Sequence, residues 1–270
     1  MRIFSKLKTS LVPVLGPLGL ILAIWYGVSF AAEMNKGIDF PDPLETANRL
    51  LELLRGSSLH DASIYRHISA SLLRWFKGFA IAVGGGVLLG LGAGWWRLMY
   101  MNVAPLLRIL QLIPGLAWIP VALLLYGIGE EATIFILAIT AFTPIAISTM
   151  DGVRQVDTGY IRAARMLGTG RRAMFMHVLL PAALPSMLTG LRIGLGNGWR
   201  VLLAAEMVVG TGTGLGFSII EARWTLDYTA AFALIGVIAV LGLVFERIFF
   251  TSLEQRTIRA WSSGKDWTHD

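Results

Sequence analysis

Long apolar runs are the feature that most constrains how this chain folds. An α-helix needs about 20 predominantly apolar residues to cross ~30 Å of hydrocarbon, and the sequence holds several runs of that length. The chain is 55% hydrophobic and 15% charged, with a mean hydropathy of +0.66, well above what a soluble domain needs for its core. We predict an all-α integral membrane protein with about six transmembrane helices, at Leu11–Ala32, Phe76–Trp96, Val103–Gly127, Ala132–Met150, Leu184–Val209 and Thr229–Phe250.

The basic residues predict which side of the membrane each loop occupies. An even number of spans returns both termini to one side. With the N-terminus inside, thirteen Lys and Arg fall in inner segments and seven in outer segments, which agrees with the positive-inside rule. We therefore expect cytoplasmic N- and C-termini. The net charge of +6 follows from this topology, and we expect no nucleic-acid partner.

The loops divide the chain into segments of different character. The first apolar run is longer than the ~7–15-residue h-region of a signal peptide, so we expect a retained helix. After Pro41-Asp42-Pro43, leucines at helical spacing predict an amphipathic helix on the outer surface. The segments are a cytoplasmic N-terminus at 1–10, the first transmembrane helix at 11–32, an outer amphipathic segment at 33–75, a core of five helices at 76–250 with a cytoplasmic loop at 151–183, and a cytoplasmic tail at 251–270.

Small residues recur every four positions in the second and fifth predicted spans. Such ridges let helix backbones approach closely in a membrane, where apolar side chains gain little by leaving lipid. We predict that both rows pack against neighbouring helices. The rows are Ala82, Gly86, Gly90 and Gly94 in one span, and Gly190, Gly194 and Gly198 in the other.

The inner loop between the fourth and fifth spans is amphipathic. Residues 160–167 predict a short helix that ends at Gly168, and a second turn begins near Thr169. It runs through Arg171-Arg172 and three apolar residues. We expect Pro181 then to redirect the chain into the fifth span, because proline lacks the amide hydrogen that a helix interior needs.

This loop resembles the cytoplasmic motif of ABC importer permeases, which has Glu-Ala-Ala, a glycine three residues later, and an Ile-x-Leu-Pro end after nine more. Ala163-Ala164 match the two alanines, Gly168 the glycine, and Val178-Leu179-Leu180-Pro181 the end of the motif. Arg162 stands where the family has glutamate, which reverses the charge at that position. Further stretches resemble the sulfonate, taurine and nitrate branch over roughly residues 40 to 250: Pro114–Pro120, Gly127–Glu130, Gly152–Asp157, Pro181–Pro185 and Ala204–Met207.

The resemblance implies a type I importer permease in the cell inner membrane. Such a subunit pairs with a second permease copy, here expected to be a homodimer, and works with a cytoplasmic ABC ATPase dimer and an external solute-binding protein. It implies a small oxyanion or organic anion as cargo, such as sulfonate, taurine, nitrate or bicarbonate. A neutral or cationic solute, such as a vitamin precursor, stays an alternative. The residues expected to couple to the ATPase are Tyr160, Arg162, Ala163, Ala164, Met166, Leu167, Gly168, Arg171 and Pro181.

The sequence offers no catalytic or metal centre of its own. It has no cysteine, and its four histidines lack the spacing of a metal site. No Walker-type phosphate loop occurs, since Gly210-Thr211-Gly212-Thr213-Gly214 fails both the spacing and the lysine. We expect no cofactor, with ATP bound by the partner. The rivals, a membrane enzyme and an ATP-independent secondary transporter, would need intramembrane acid or histidine clusters, or inverted repeats.

Polar and charged residues inside the predicted spans are the candidates for a substrate path. Charge is costly in hydrocarbon and usually faces a cavity or a partner. An arginine-lined cavity would suit an oxyanion, whereas a structural Arg–Glu pair is the alternative. Trp118 with Pro114 and Pro120 forms either a kinked gate or a plain kink. The candidates are Arg108, Gln111, Trp118, Arg192, Arg200 and Glu206.

Overall fold

The computed structural model describes residues 2–37, 39–59 and 61–247, so the predicted tail at 251–270 lies outside the described residues. The chain divides into two compact units, Met1–Tyr65 with Ser218–Val237, and Arg66–Phe217 with Ile238–Asp270. The elements in chain order are α1 (Arg2–Lys36), α2 (Pro43–Leu54), β1 (Ser58–Leu59), β2 (Ala62–Ser63), α3 (Ile64–Trp95), α4 (Arg97–Leu112), a 3-10 turn (Gly115–Trp118), α5 (Ile119–Tyr126), α6 (Glu130–Arg154), α7 (Thr158–Met166), α8 (Arg171–Met174), a π-helical turn (Phe175–Leu179), α9 (Leu180–Val209), α10 (Leu215–Trp224) and α11 (Tyr228–Phe245).

Within the described part of the chain, four helical segments are long and apolar enough to cross a membrane. They are Ile64–Trp95, Glu130–Arg154, Arg171–Val209 and Tyr228–Phe245, and a bent helix pair adds a fifth candidate. These correspond to the second to sixth predicted spans. α1 covers the first predicted span, Leu11–Ala32, but not all of its side chains are described, so that span stays a prediction.

The third predicted span, Val103–Gly127, is wrong as a single straight helix. α4 and the segment Gly115–Tyr126 are bent by 101°. Ile113, which precedes a proline, has extended backbone (φ −80°, ψ 120°), because the ring of Pro114 disfavours helical geometry at the residue before it. The proline that the sequence singled out therefore marks the break, and the chain turns sharply rather than kinking gently.

In the first unit, a capped surface helix follows α1. Asp42 accepts a hydrogen bond from the Glu45 amide (2.7 Å), and Glu45 reaches back to the Asp42 amide, so a capping box starts α2 after the predicted Pro41-Asp42-Pro43 signal. Trp25 Nε1 donates to the Pro41 carbonyl oxygen (2.9 Å), which ties α1 to this start. The helix predicted within the outer segment 33–75 is confirmed.

α6 lies at the centre of the second unit, between α3 and α9. A Cβ atom on Gly90 of α3 would lie 2.6 Å from the Ala146 carbonyl oxygen of α6. On α9, a Cβ on Gly190 would lie 2.5 Å from Ser148 Cβ, and one on Gly194 would lie 2.8 Å from Ile145 Cγ1. Both predicted glycine rows therefore pack against the same helix, and at Gly90, Gly190 and Gly194 the distances leave no room for a side chain.

We predict that Gly90→Ala destabilises the protein, because its new methyl group would overlap backbone that cannot move aside, at a cost of about 1–3 kcal/mol. Gly84→Ala on the same helix is the matched control, since nothing lies within 4 Å of a Cβ there. Thermal melting of the two purified variants measures the difference. Equal melting temperatures would contradict the close approach of α3 to α6.

Candidate functional site

The inner loop carries a short helix with defined caps at both ends. α7 begins after Asp157, whose side chain accepts a hydrogen bond from the Gly159 amide (2.7 Å). At its end, the Thr169 amide donates to the Ala164 carbonyl (3.1 Å) and the Gly168 amide to the Arg165 carbonyl (3.0 Å), which is a Schellman motif. Gly168 has φ +75°, a conformation that glycine adopts without strain. The predicted helix and its glycine stop are confirmed.

One face of α7 packs against the rest of the inner loop. Ala164 is buried in a cluster with Val156, Met174 and Leu179. The resemblance assigns both alanines to ATPase coupling, and that assignment stays a prediction. Ala163 is exposed, whereas Ala164 is small because its side chain faces the core of its own loop.

The inner loop exposes large apolar side chains at α7 and its C-cap. Met166 and Leu167 are 88% and 85% exposed, and Tyr160 is 66% exposed. Arg162, Arg165 and Arg171 are exposed on the same loop. This tip of two adjacent apolar residues with arginines nearby has the composition of a protein-binding anchor.

Pro181 does not redirect the chain, which corrects a second expectation. Helical structure continues over Arg171–Val209, through α8, the π-helical turn and α9. Pro181 lies in the first turn of α9, and the Leu180 amide donates to the Phe175 carbonyl across the π-helical turn. The wider turn accommodates a residue that has no amide hydrogen to donate, so the helix absorbs the proline instead of breaking.

A pocket of about 430 Å³ lies at the break between α4 and α5, against α6 and α9. Of the predicted path residues, Gln111, Trp118 and Arg200 line it. Asn197, Thr140 and Thr143 also line it, and the sequence analysis did not identify them. The signal for Asn197 was its position one turn before Arg200 on the same helix, whereas the two threonines gave no signal in an apolar span.

Arg200 lies in this pocket, and no carboxylate of the described residues pairs with it. Its Nη2 donates to Asn197 Oδ1 (2.8 Å) and its Nε donates to the Gly196 carbonyl oxygen (3.2 Å). Among the ion pairs of the described residues, none involves Arg200. The guanidinium therefore brings a positive charge to the pocket that the surrounding protein orients but does not neutralise.

The other three candidates lie outside the pocket. Arg192 pairs with Glu246 (2.8 Å), with both side chains about half exposed. Arg108 is exposed on α4. Glu206 is fully buried and takes part in a separate network. It forms a structural Arg–Glu ion pair, the alternative to a path residue, and its partner is Arg74, which the sequence did not pair with it.

That network is a buried carboxylate held from three directions. Arg74 Nη1 donates to Glu206 Oε1 (2.8 Å), and Ser71 Oγ donates to the same carboxylate (2.9 Å). The Gly216 amide donates to Glu206 Oε2 (2.9 Å). Buried charge is tolerated when it is paired and its remaining acceptor positions are hydrogen-bonded, as they are here. Arg74 is not among the candidate residues that the sequence indicated.

The same network fixes the glycine-rich connection that follows α9. Arg74 Nη1 donates to the Thr213 carbonyl (2.7 Å), and a Cβ on Gly214 would lie 2.6 Å from Glu206 Cδ. Gly214 has φ +132°, which side-chain-bearing residues rarely adopt. Gly214 therefore lets a tight connection close over a buried charge.

Comparison with known proteins decides the family. The family described as the inner membrane component of binding-protein-dependent transport systems matches residues 82–259, more than half of the chain. The chain belongs to this family. The resemblance recognised in its loop is thereby confirmed.

Several related permeases are similar in sequence to this permease over most of its length. It is 34% identical to the taurine transport system permease protein TauC of Escherichia coli (strain K12) over 232 residues, which is 86% of this chain and 84% of that protein. It is 36% identical to the bicarbonate transport system permease protein CmpB of Synechococcus elongatus, covering 88% and 87%. It is 32% identical to the nitrate import permease protein NrtB of Synechocystis, covering 90% and 88%.

The fold has solved counterparts. A structure of the MetNI methionine ABC transporter in an inward-facing conformation matches with a TM-score of 0.55 at 24% identity, over 79% of this chain and 97% of that chain. The permease therefore has the fold of an ABC importer subunit. It is a transport subunit of an ATP-driven importer and an inner membrane component, and a separate ATPase hydrolyses ATP. Family membership excludes the secondary-transporter alternative.

We predict that Glu206→Gln strongly destabilises the permease, because it leaves Arg74 buried without its charge partner, a loss of about 3–5 kcal/mol. Lys77→Gln is the matched control: it breaks an ion pair with Glu130 whose partners are 58% and 45% exposed, and such pairs contribute about 0–1 kcal/mol. Thermal melting of the detergent-solubilised protein compares them. Similar losses in the two variants would contradict the structural importance of the buried pair.

Proposed function

We propose that the permease imports a small oxyanion or organic anion, with Arg200 as the principal anion-binding group. The observation that carries this proposal is the unneutralised guanidinium in the pocket at the α4–α5 break. Arginine offers a planar fork of donors that matches the oxygens of sulfonate, nitrate and carboxylate groups. The names of the relatives, which refer to taurine, bicarbonate and nitrate, favour the same class of cargo.

The other polar groups of the pocket divide into donors and acceptors. Thr140 and Thr143 donate their hydroxyl hydrogens to carbonyl oxygens of their own helix (2.7 and 3.1 Å), which leaves them only as acceptors. Asn197 accepts from Arg200 through Oδ1, so its NH₂ group stays available as a donor. With the Gln111 amide and the Trp118 indole N–H, the pocket offers several donors around one cation, which suits an anion.

We further infer that the loop from Tyr160 to Pro181 docks on the cytoplasmic ATPase. Met166 and Leu167 supply the apolar anchor, and Arg162 and Arg171 lie around it. Because Arg162 is exposed, its charge contributes little, and the family's glutamate can be exchanged there at small cost. The permease acts as a homodimer with an external solute-binding protein, both termini lie in the cytoplasm, and ATP binds only to the partner subunits.

We predict that Arg200→Gln lowers uptake of the anion by about tenfold or more, since hydrogen bonds to a charged group contribute about 1.5–3 kcal/mol. Uptake of labelled taurine, nitrate and bicarbonate into proteoliposomes of the complete transporter measures this, with ATPase activity recorded in parallel. Arg192→Gln is the matched control, because its charge is neutralised by Glu246 outside the pocket. Unchanged uptake in the Arg200 variant would contradict the proposal.

We predict that a double variant, Met166→Ser with Leu167→Ser, abolishes co-purification with the ATPase while the permease still folds. Both side chains are exposed, so the change removes docking area without opening the core. Arg162→Gln, on the same helix, keeps the anchor and should retain the complex. The opposite pattern, loss of the complex in Arg162→Gln and retention in the double variant, would sink the anchor assignment.

A further inference from the structure

Two adjoining pockets between the end of α3 and the inner loop differ sharply in chemistry. The first, of about 440 Å³, is lined mainly by apolar side chains, among them Leu88, Leu91, Trp96 and Phe175. Leu88 is 74% exposed and Trp96 is 60% exposed, so this apolar lining is open rather than part of the core. It follows the last turns of a membrane-spanning helix, where lipid chains are the surrounding solvent.

The second pocket, of about 360 Å³, is more polar, and each of the two short helices of the loop contributes an arginine to it. Arg165 of α7 and Arg171 of α8 line it, together with Thr169. Trp95, Trp96 and Arg171 line both pockets, so the two adjoin. Apolar space thus lies beside cationic space at a pair of tryptophans, the residue type that favours the headgroup level of a membrane.

The arginines of this site carry charge that the described protein leaves unbalanced. Arg171 and Arg172, which also lines the first pocket, are exposed, and neither takes part in an ion pair among residues 2–37, 39–59 and 61–247. Phe175 packs edge-on against Trp95 (5.2 Å between ring centroids), which fixes the loop against the end of α3. An apolar wall beside guanidinium groups that no described carboxylate pairs with matches an amphipathic anion.

We infer that these two pockets form a binding site for an anionic phospholipid of the cytoplasmic leaflet. An acyl chain lies along the apolar pocket, and the phosphate accepts hydrogen bonds from Arg165, Arg171 and Arg172. The inference rests on the proposed function in one respect, the cytoplasmic position of the loop. Because Arg165 and Arg171 belong to the loop that docks on the ATPase, a bound lipid would hold that loop at the membrane surface.

Quenching of tryptophan fluorescence by brominated lipid tests the site in the complete transporter. The complex is reconstituted with dibromo-phosphatidylglycerol or dibromo-phosphatidylcholine at equal mole fraction. The variant Trp96→Phe, a change at an exposed position, keeps every other tryptophan. The difference in quenching between the unchanged protein and this variant therefore reports on Trp96 alone. We expect the Trp96-dependent quenching to favour phosphatidylglycerol by about 25-fold in association, since Arg171 and Arg172 near a membrane surface each contribute about a fivefold preference for anionic lipid.

The charge variants decide the outcome. Arg171→Gln with Arg172→Gln should remove most of the preference, whereas Arg162→Gln, the same charge change on an exposed residue that lines neither pocket, should keep it. Equal quenching by both lipids in the unchanged protein, or a preference that survives the double variant, overturns the inference. So does a preference seen in the isolated permease that vanishes in the complex, because the ATPase then covers the site.

The same proteoliposomes separate this inference from the proposed function. Uptake of anion and ATPase activity are measured beside the quenching. A transporter that keeps the phosphatidylglycerol preference but imports no anion overturns the cargo proposal alone. One that imports anion and shows no lipid preference overturns the lipid site alone.

Discussion

The second unit depends on how closely three helix backbones approach one another. In hydrocarbon, helices gain nothing from hiding apolar surface that lipid already solvates, so association relies on van der Waals contact at short range. α6 achieves this on two faces, against Gly90 of α3 and against Gly190 and Gly194 of α9. Since the pocket is lined by α6 and α9 together, the glycine contacts also set the distance across which Arg200 faces the threonines of α6.

A second constraint is the buried ion pair of Arg74 and Glu206. It is electrostatic, whereas the helix contacts described above depend on close van der Waals packing. Ion pairs of this kind rarely add stability compared with an apolar core, but they penalise every arrangement in which one partner is left alone. Here the pair also receives the Gly216 amide and holds the Thr213 carbonyl. The ion pair therefore specifies one path for the connection between α9, which lines the pocket, and α10.

Much of the fold could be predicted from residue patterns, because those patterns report local physics. Apolar length predicted the spans at α3, α6, α9 and α11, the spacing of Gly86, Gly90 and Gly94 predicted a packing face, and Gly168 predicted the end of α7. The failures concern partners distant in sequence. Nothing local joins Arg74 to Glu206, or tells Ala164 from Ala163, and the break at Pro114 could not be distinguished from a mild kink because its angle depends on what packs against it. For the same reason, only half of the predicted path residues meet in one pocket.

The π-helical turn at Phe175–Leu179 has a mechanical consequence. Because the helix absorbs Pro181, Arg171 and Arg172 of the inner loop belong to the same continuous helical segment as Arg200. At 1.5 Å per residue, Arg171 and Arg200 are separated by about 40 Å along its axis. A tilt of about 5° at the loop end of such a lever displaces the far end by roughly 3 to 4 Å, which exceeds the range over which a guanidinium keeps a hydrogen bond. A small tilt at the Arg171 end is thus enough to change the distance between Arg200 and the pocket residues on α6 without any change inside the helix.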